Sequence, residues 1–258
     1  MQNNNSNSKI EAYLSKRFKN SDSYELDHLR SDWEHKEKSS FGVLNDFKNR
    51  IGSPNGKKVL DIGFGNGIMT KVFFSEGAIM SGIEVDDFLF EIAKEYLNEL
   101  SIDVDLKLYD GKKFPFDDDY FDYIYSTSVL EHVDDSELFL SEASRVLKSG
   151  GKIYLAFPNR FALRDSHSGV YFLGYFPRFM SQLILKLLKK GSLEDWNLHF
   201  LSYFSILKII RKNKLPLEIK METNSKYFFR KLVKKFLAIF NIHYGALLSS
   251  IVIIIEKK

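Results

Sequence analysis

The chain has 258 residues, 44% hydrophobic and 28% charged, with no cysteine. This suffices for one large domain with a packed core, and it excludes disulfides, zinc–thiolate and iron–sulfur sites and a thiol nucleophile. Net charge is +3 but unevenly spread, with −8 over residues 1–160 and +11 over 161–258, so the C-terminal part is expected to face something anionic.

Residues 1–8 read as a disordered polar tail, and 9–51 as two or three helices forming an N-terminal cap. The start, MQNNNSNSKI, lacks the apolar core of a secretory signal. KKVLDIG (57–63) predicts a buried strand that runs into glycines, and Ile68–Ser75 a helix. IMSGIEV (79–85) predicts the second strand, followed by an amphipathic helix over Asp86–Leu100 that opens on two acids, as suits a helix N-terminus. VDLKLYD (104–110) and FDYIYST (121–127) predict strands three and four. A helix over Asp134–Leu147 is expected to stop at Lys148 and Gly150, ahead of a fifth strand, GKIYLAF (151–157).

Residues 160–200 break this rhythm. They are rich in aromatics and predict an insert containing a basic helix over 179–190. It follows a strand's C-terminal end, where α/β proteins place their ligand crevice. A helix over Ser202–Asn213, a sixth strand (217–223), an amphipathic helix (227–240) and a last strand (249–256) complete the chain. The amphipathic 227–240 pattern suits packing on a sheet and, less well, a membrane surface. The most apolar run, 246–255, is too short for a spanning helix. A cytoplasmic protein is therefore expected, and the alternation of strand and helix predicts an α/β fold with a parallel sheet.

The most informative stretch is VLDIGFGNG (59–67). Glycines at 63, 65 and 67 let the backbone turn tightly and approach a ligand, with a helix N-terminus behind them. Asp61 precedes the turn and Glu84 ends the next strand, where a carboxylate can accept both hydroxyls of a ribose. A dinucleotide turn would read G-x-G-x-x-G. The observed D-x-G-x-G-x-G disfavours a nicotinamide enzyme and suits a ligand with positive charge near the turn.

This stretch resembles motif I of the Rossmann-like methyltransferases that use S-adenosylmethionine. The resemblance continues through Gly82–Val85, through Tyr109-Asp110-Gly111 with FPFDDDYFDYI (114–124), through Ser126–His132 and through RVLKSGGKIYLAFPN (145–159). It covers roughly 57–160 and implies a seven-stranded, mainly parallel sheet with helices on both faces, its last strand antiparallel, in a single domain over 9–258. It also implies that Asp61, Gly63, Phe64, Gly65, Gly67, Glu84, Val85, Asp110, Gly111 and Ser126 hold S-adenosylmethionine. Glu84 would bind the ribose and Asp110 the adenine amino group. The insert is similar to those of methyltransferases from bacterial polysaccharide and lipid-linked glycan gene clusters. The cap and the insert are expected over the crevice at the strands' C-terminal edge.

On the acceptor side the expected pocket residues are His132, Asn159, Arg160 and Arg164. His167 is the candidate general base, with Asp165 in reserve and a satisfied loop histidine as the alternative. No metal is expected: Glu131-His132 has no second histidine nearby in sequence, and the run Asp117–Asp119 reads as a solvated loop. The expected acceptor is a small molecule or glycan, phosphorylated or lipid-linked, with Arg160, Arg164 and Arg178 as phosphate partners. Transfer to an oxygen leads. Transfer to nitrogen or a carboxylate, and a non-catalytic cofactor-binding partner protein, stand as alternatives. Nucleic acid is not expected, because an N/D-P-P-Y/F motif is missing.

Overall fold

A computed structural model describes residues 39–220 and 250–258. Among the described residues seven strands form one sheet in the order β3-β2-β1-β4-β5-β7-β6. The chain divides into two compact units, Met1–Pro115 and Phe116–Lys258, taken here in turn.

In the first unit a helix over 39–50 (α1) buries Leu44 and Phe47, and Phe47 meets Phe73 edge-on at 4.8 Å. β1 (Lys58–Ile62), β2 (Ile79–Glu84) and β3 (Asp105–Leu108) are parallel. They are linked by α2 (Ile68–Ser75) and α3 (Asp87–Glu99). β1 is buried from Val59 onward, as a strand covered on both faces should be. Asp86 caps α3, its carboxylate accepting from the N–H groups of Phe88 and Leu89, which satisfies two of the donors that a helix start leaves open.

In the second unit β4 (Phe121–Thr127) pairs in parallel with β5 (Leu147–Pro158). β7 (Ser250–Lys257) runs antiparallel to both β5 and β6 (Leu217–Lys220), as the resemblance implied. α4 (Ser136–Val146) is capped by Asp135, and α6 (Tyr203–Lys212) by a reciprocal Ser202–Ser205 box.

The glycine stop expected after α4 is not how that helix ends. The chain passes from Val146 straight into β5, and pairing jumps from Phe121↔Leu147 to Tyr123↔Lys152. Residues 148–151 are the irregularity between, so Gly150 (φ 74°) serves a kink within the strand, not a helix cap. The insert's helix is α5 (Arg178–Leu187), shorter than the expected 179–190 at its C-terminal end. The insert has its own core of Leu173, Leu185, Leu193 and Leu198, flanked by Trp196 and Phe200. The expected tail, most of the N-terminal cap and the 227–240 helix lie outside the described residues. Among the described residues no helix is long and apolar enough to cross a membrane.

Candidate functional site

In the first unit β1 delivers the chain into a turn where Gly63, Gly65 and Gly67 have φ of 69°, 55° and 77°. That left-handed conformation strains any side-chain-bearing residue. A Cβ on Gly65 would meet nothing within 4 Å, so this face of the turn is open to a ligand, whereas one on Gly67 would press on Ala93 at 3.1 Å. The backbone is thus shaped for approach at Gly65 and for helix packing at Gly67.

Glu84 is 6% exposed. Its carboxylate accepts from Gly65 N–H at 3.0 Å, Val85 N–H at 2.8 Å and Asp86 N–H at 3.2 Å. One acidic side chain therefore ties the glycine turn to the end of β2. Each carboxylate oxygen has more than one lone pair, so acceptor capacity remains for a ligand's hydroxyls.

Asp61 is 1% exposed and accepts from the Thr70 hydroxyl at 2.7 Å. Burial pushes its carboxyl up to about 7, opposed by the Thr70 hydrogen bond and reinforced by the charge of Glu84. Asp110 is exposed and accepts from Lys112 N–H at 2.9 Å. Burial, with Glu84 and Asp110 adding, raises the neighbouring Tyr109 hydroxyl to about 12. Exposed Val85 lies beside Gly111, 3.7 Å from where a Cβ on that glycine would stand. Phe64 differs from expectation. It is 5% exposed and lies against Gly82, where a Cβ would come 2.6 Å from its ring. Only its backbone remains to line a ligand.

In the second unit Ser126 is fully buried, and its hydroxyl has no partner among the described residues. After β4 a tight 3-10 turn, Leu130–His132, presents Glu131 and His132. The insert holds this turn in place. His199 N–H donates to Glu131 O at 2.7 Å, the Asn197 amide to His132 O at 2.8 Å, and His132 Nδ1–H to Trp196 O at 2.8 Å. Glu131 is 1% exposed, with no partner for either carboxylate oxygen among the described residues. Burial raises its carboxyl to about 7, and its own backbone N–H, too poorly placed for a hydrogen bond, lowers it less.

His167 meets His132 edge-on at 5.3 Å and stacks near Trp196 at 6.3 Å. His167 is exposed to solvent. Crowding by protein nevertheless lowers its pKa, opposed by Asp165 and aided by His132. The expectation that Glu131-His132 lacks a second histidine is corrected here, because folding brings His167 to the pair. Sequence spacing cannot show a neighbour that arrives through an insert.

A cavity of about 350 Å³ is lined by Ser128, Glu131, Phe157, Pro158, Arg164 and His167. A smaller crevice adds Asn159 and Arg160. Asn159 is buried and accepts from Phe161 N–H at 3.1 Å. The three arginines expected to meet a phosphate are turned to backbone carbonyls. Arg160 donates twice to Gly174 O at 3.0 and 2.9 Å, Arg164 to Gly169 O at 3.0 Å, and Arg178 to Leu198 O at 2.6 Å. They staple the insert. Glu131 and Trp196 were missed as site residues. Glu131 carried a signal, its place beside His132 after a predicted strand, whereas Trp196 carried none.

Residues 60–155 match a family model described as a methyltransferase domain. Over 105 residues the chain is 30% identical to a ubiquinone biosynthesis O-methyltransferase of Coxiella burnetii, covering 41% of this chain and 45% of that protein. It thus spans less than half the length of that relative. A namesake from Pelagibacter ubique is 29% identical over 178 residues, covering 68% and 69%. The fold is that of an S-adenosylmethionine-dependent methyltransferase structure from Mesorhizobium loti, with a TM-score of 0.57, 13% identity and coverage of 83% and 96%.

Proposed function

We propose that the protein transfers a methyl group from S-adenosylmethionine to a hydroxyl oxygen on a small, ring-bearing acceptor. The observation that carries the cofactor half is the glycine turn tied to the buried Glu84 carboxylate and open at Gly65. A strand-end acid suits a ribose, and an open glycine backbone suits close approach of the methionine part. Glu84 would take the ribose hydroxyls, Asp110 and the Val85–Gly111 edge the adenine, and the Gly63–Gly67 backbone the methionine part. The cofactor supplies an electrophilic methyl on a sulfonium that leaves as a neutral thioether.

The chain's remaining tasks are alignment and proton removal. Oxygen as the target is supported by the O-methyltransferase relatives and by a base-bearing cavity. The acceptor hydroxyl would lie in the cavity lined by Glu131 and His167. His167 would take its proton as the oxygen–methyl bond forms, since crowding favours its neutral form. Sugars and hydroxylated aromatics share this chemistry, a ring hydroxyl beside the exposed rings of Tyr171, Phe172 and Tyr175. A phosphate on the acceptor has less support, given the arginines' carbonyl bonds.

Calorimetric titration with S-adenosylmethionine tests the cofactor half. Glu84→Ala should weaken binding by roughly tenfold to a hundredfold, and unchanged affinity would overturn the assignment. For the acceptor half, His167→Ala should bind the cofactor normally and lose turnover by about 10²–10⁴-fold. Turnover equal to wild type would remove His167 from the chemistry.

A further inference from the structure

We infer that Glu131, His132 and His167 form a binding site for a divalent first-row transition cation. One ligand atom from each lies within 4.8 Å of the others. Two imidazoles and a carboxylate are the donor set of catalytic zinc sites and of ferrous facial triads, both of which leave coordination positions open.

Features beyond proximity support the assignment. Glu131 is 1% exposed, and neither carboxylate oxygen has a partner among the described residues. A buried carboxylate without a partner is costly, and cation ligation is one of the few arrangements that relieve it. His132 donates Nδ1–H to Trp196 O at 2.8 Å. A carbonyl only accepts, so the neutral ring presents its lone pair at Nε2. Histidines that bind metals are oriented by such an outer hydrogen bond.

The supporting backbone is also fixed, through His199 N–H to Glu131 O and the Asn197 amide to His132 O. His167 sits on a loop that Asp165 organises by accepting from the N–H groups of His167 at 3.2 Å and Ser168 at 2.7 Å. The mixed nitrogen and oxygen set favours zinc, manganese or ferrous ion over magnesium, which prefers oxygen and water. Glu131 and His167 both line the cavity, so the open coordination positions would face it.

Ligation rests on these three side chains alone. Its consequence rests on the hydroxyl-acceptor reading above: a hydroxyl bound to the cation loses its proton more readily, so His167 serves as base in the cation-free protein and as ligand in the loaded one.

The test is titration of the chelator-treated full-length protein with Zn²⁺ by calorimetry and with Co²⁺ by visible absorption. Wild type should take up a single equivalent saturably. Glu131→Gln and His167→Ala should each weaken uptake by about tenfold or more while binding S-adenosylmethionine like wild type, which reports an intact fold. No saturable uptake, or equal uptake by both variants, overturns the site. Uptake as expected from a protein that methylates no hydroxyl acceptor leaves the site standing and removes the acceptor reading.

Discussion

Asp61 is sealed from water at 1% exposure, with a Thr70 hydroxyl as its hydrogen-bond donor and Glu84 raising its proton affinity. Its carboxyl is raised from 3.8 to about 7, so between those values the folded chain holds a proton that the unfolded chain has lost. Stability must then fall as pH rises through this window and level off above it. The swing is on the order of a few kcal/mol. Urea melts from pH 4 to 8 should show the decline, and Asp61→Asn should reduce it, the remainder coming from Glu131, whose carboxyl is also raised to about 7. A wild-type profile without slope would mean that Asp61 ionises normally. The acid at 61 was legible in the sequence as part of the turn. That it serves mainly inside the fold was not, because burial depends on strands and helices that the local spacing does not describe.

At the scale of elements, the insert shows how a loop becomes a wall. Gly174 lies so close to the Arg160 carbonyl that an added Cβ would stand 2.0 Å from its oxygen, while the Arg160 guanidinium donates twice to Gly174 O. Gly174→Ala must push these segments apart. It should cost about 1–3 kcal/mol and raise proteolytic sensitivity across 160–200 before it affects cofactor affinity. The arginines were legible as cations near the acceptor side, and a phosphate seemed their natural partner from charge alone. Their partners turned out to be carbonyls, which every residue carries and no motif marks.

A second element-scale case is the α4–β5 junction. Arg145 donates to Glu142 at 2.9 and 2.7 Å, to Asp118 at 2.7 Å and to Phe116 O at 2.8 Å. These bonds hold the loop before β4 against the end of α4 and raise the guanidinium's pKa further, Glu142 most of all. The Asp117–Asp119 run, expected as a solvated loop, is partly bound through Asp118 and through Asp119, which accepts from Lys257 at 2.7 Å. Arg145→Ala should lower the denaturation midpoint by an amount equivalent to about 1–2 kcal/mol, less than burial would give because Asp118 remains mostly exposed.

For the molecule as a whole, the seven-stranded, mainly parallel sheet and its antiparallel last strand follow the expectation drawn from the motifs. Strand pattern, glycine turn and family resemblance all point the same way there, and local and global signals that agree are what make a fold readable. The acceptor side was less readable, because its residues converge from the 128–132 turn, the end of β5 and the insert.

The division of labour that this implies can be tested in one double-mutant cycle. Asp61, Gly65, Glu84 and Asp110 belong to the first unit, whereas Glu131, Asn159 and His167 belong to the second. If the first unit holds the cofactor and the second handles the acceptor proton, Glu84→Ala should raise the Kd for S-adenosylmethionine, and His167→Ala should lower single-turnover rate at saturating cofactor. The double variant should show both losses, additive in free energy within about 0.5 kcal/mol. A double variant with a cofactor Kd well above that of Glu84→Ala alone would show that His167 helps to hold the cofactor, and would remove the separation of roles proposed for the two units.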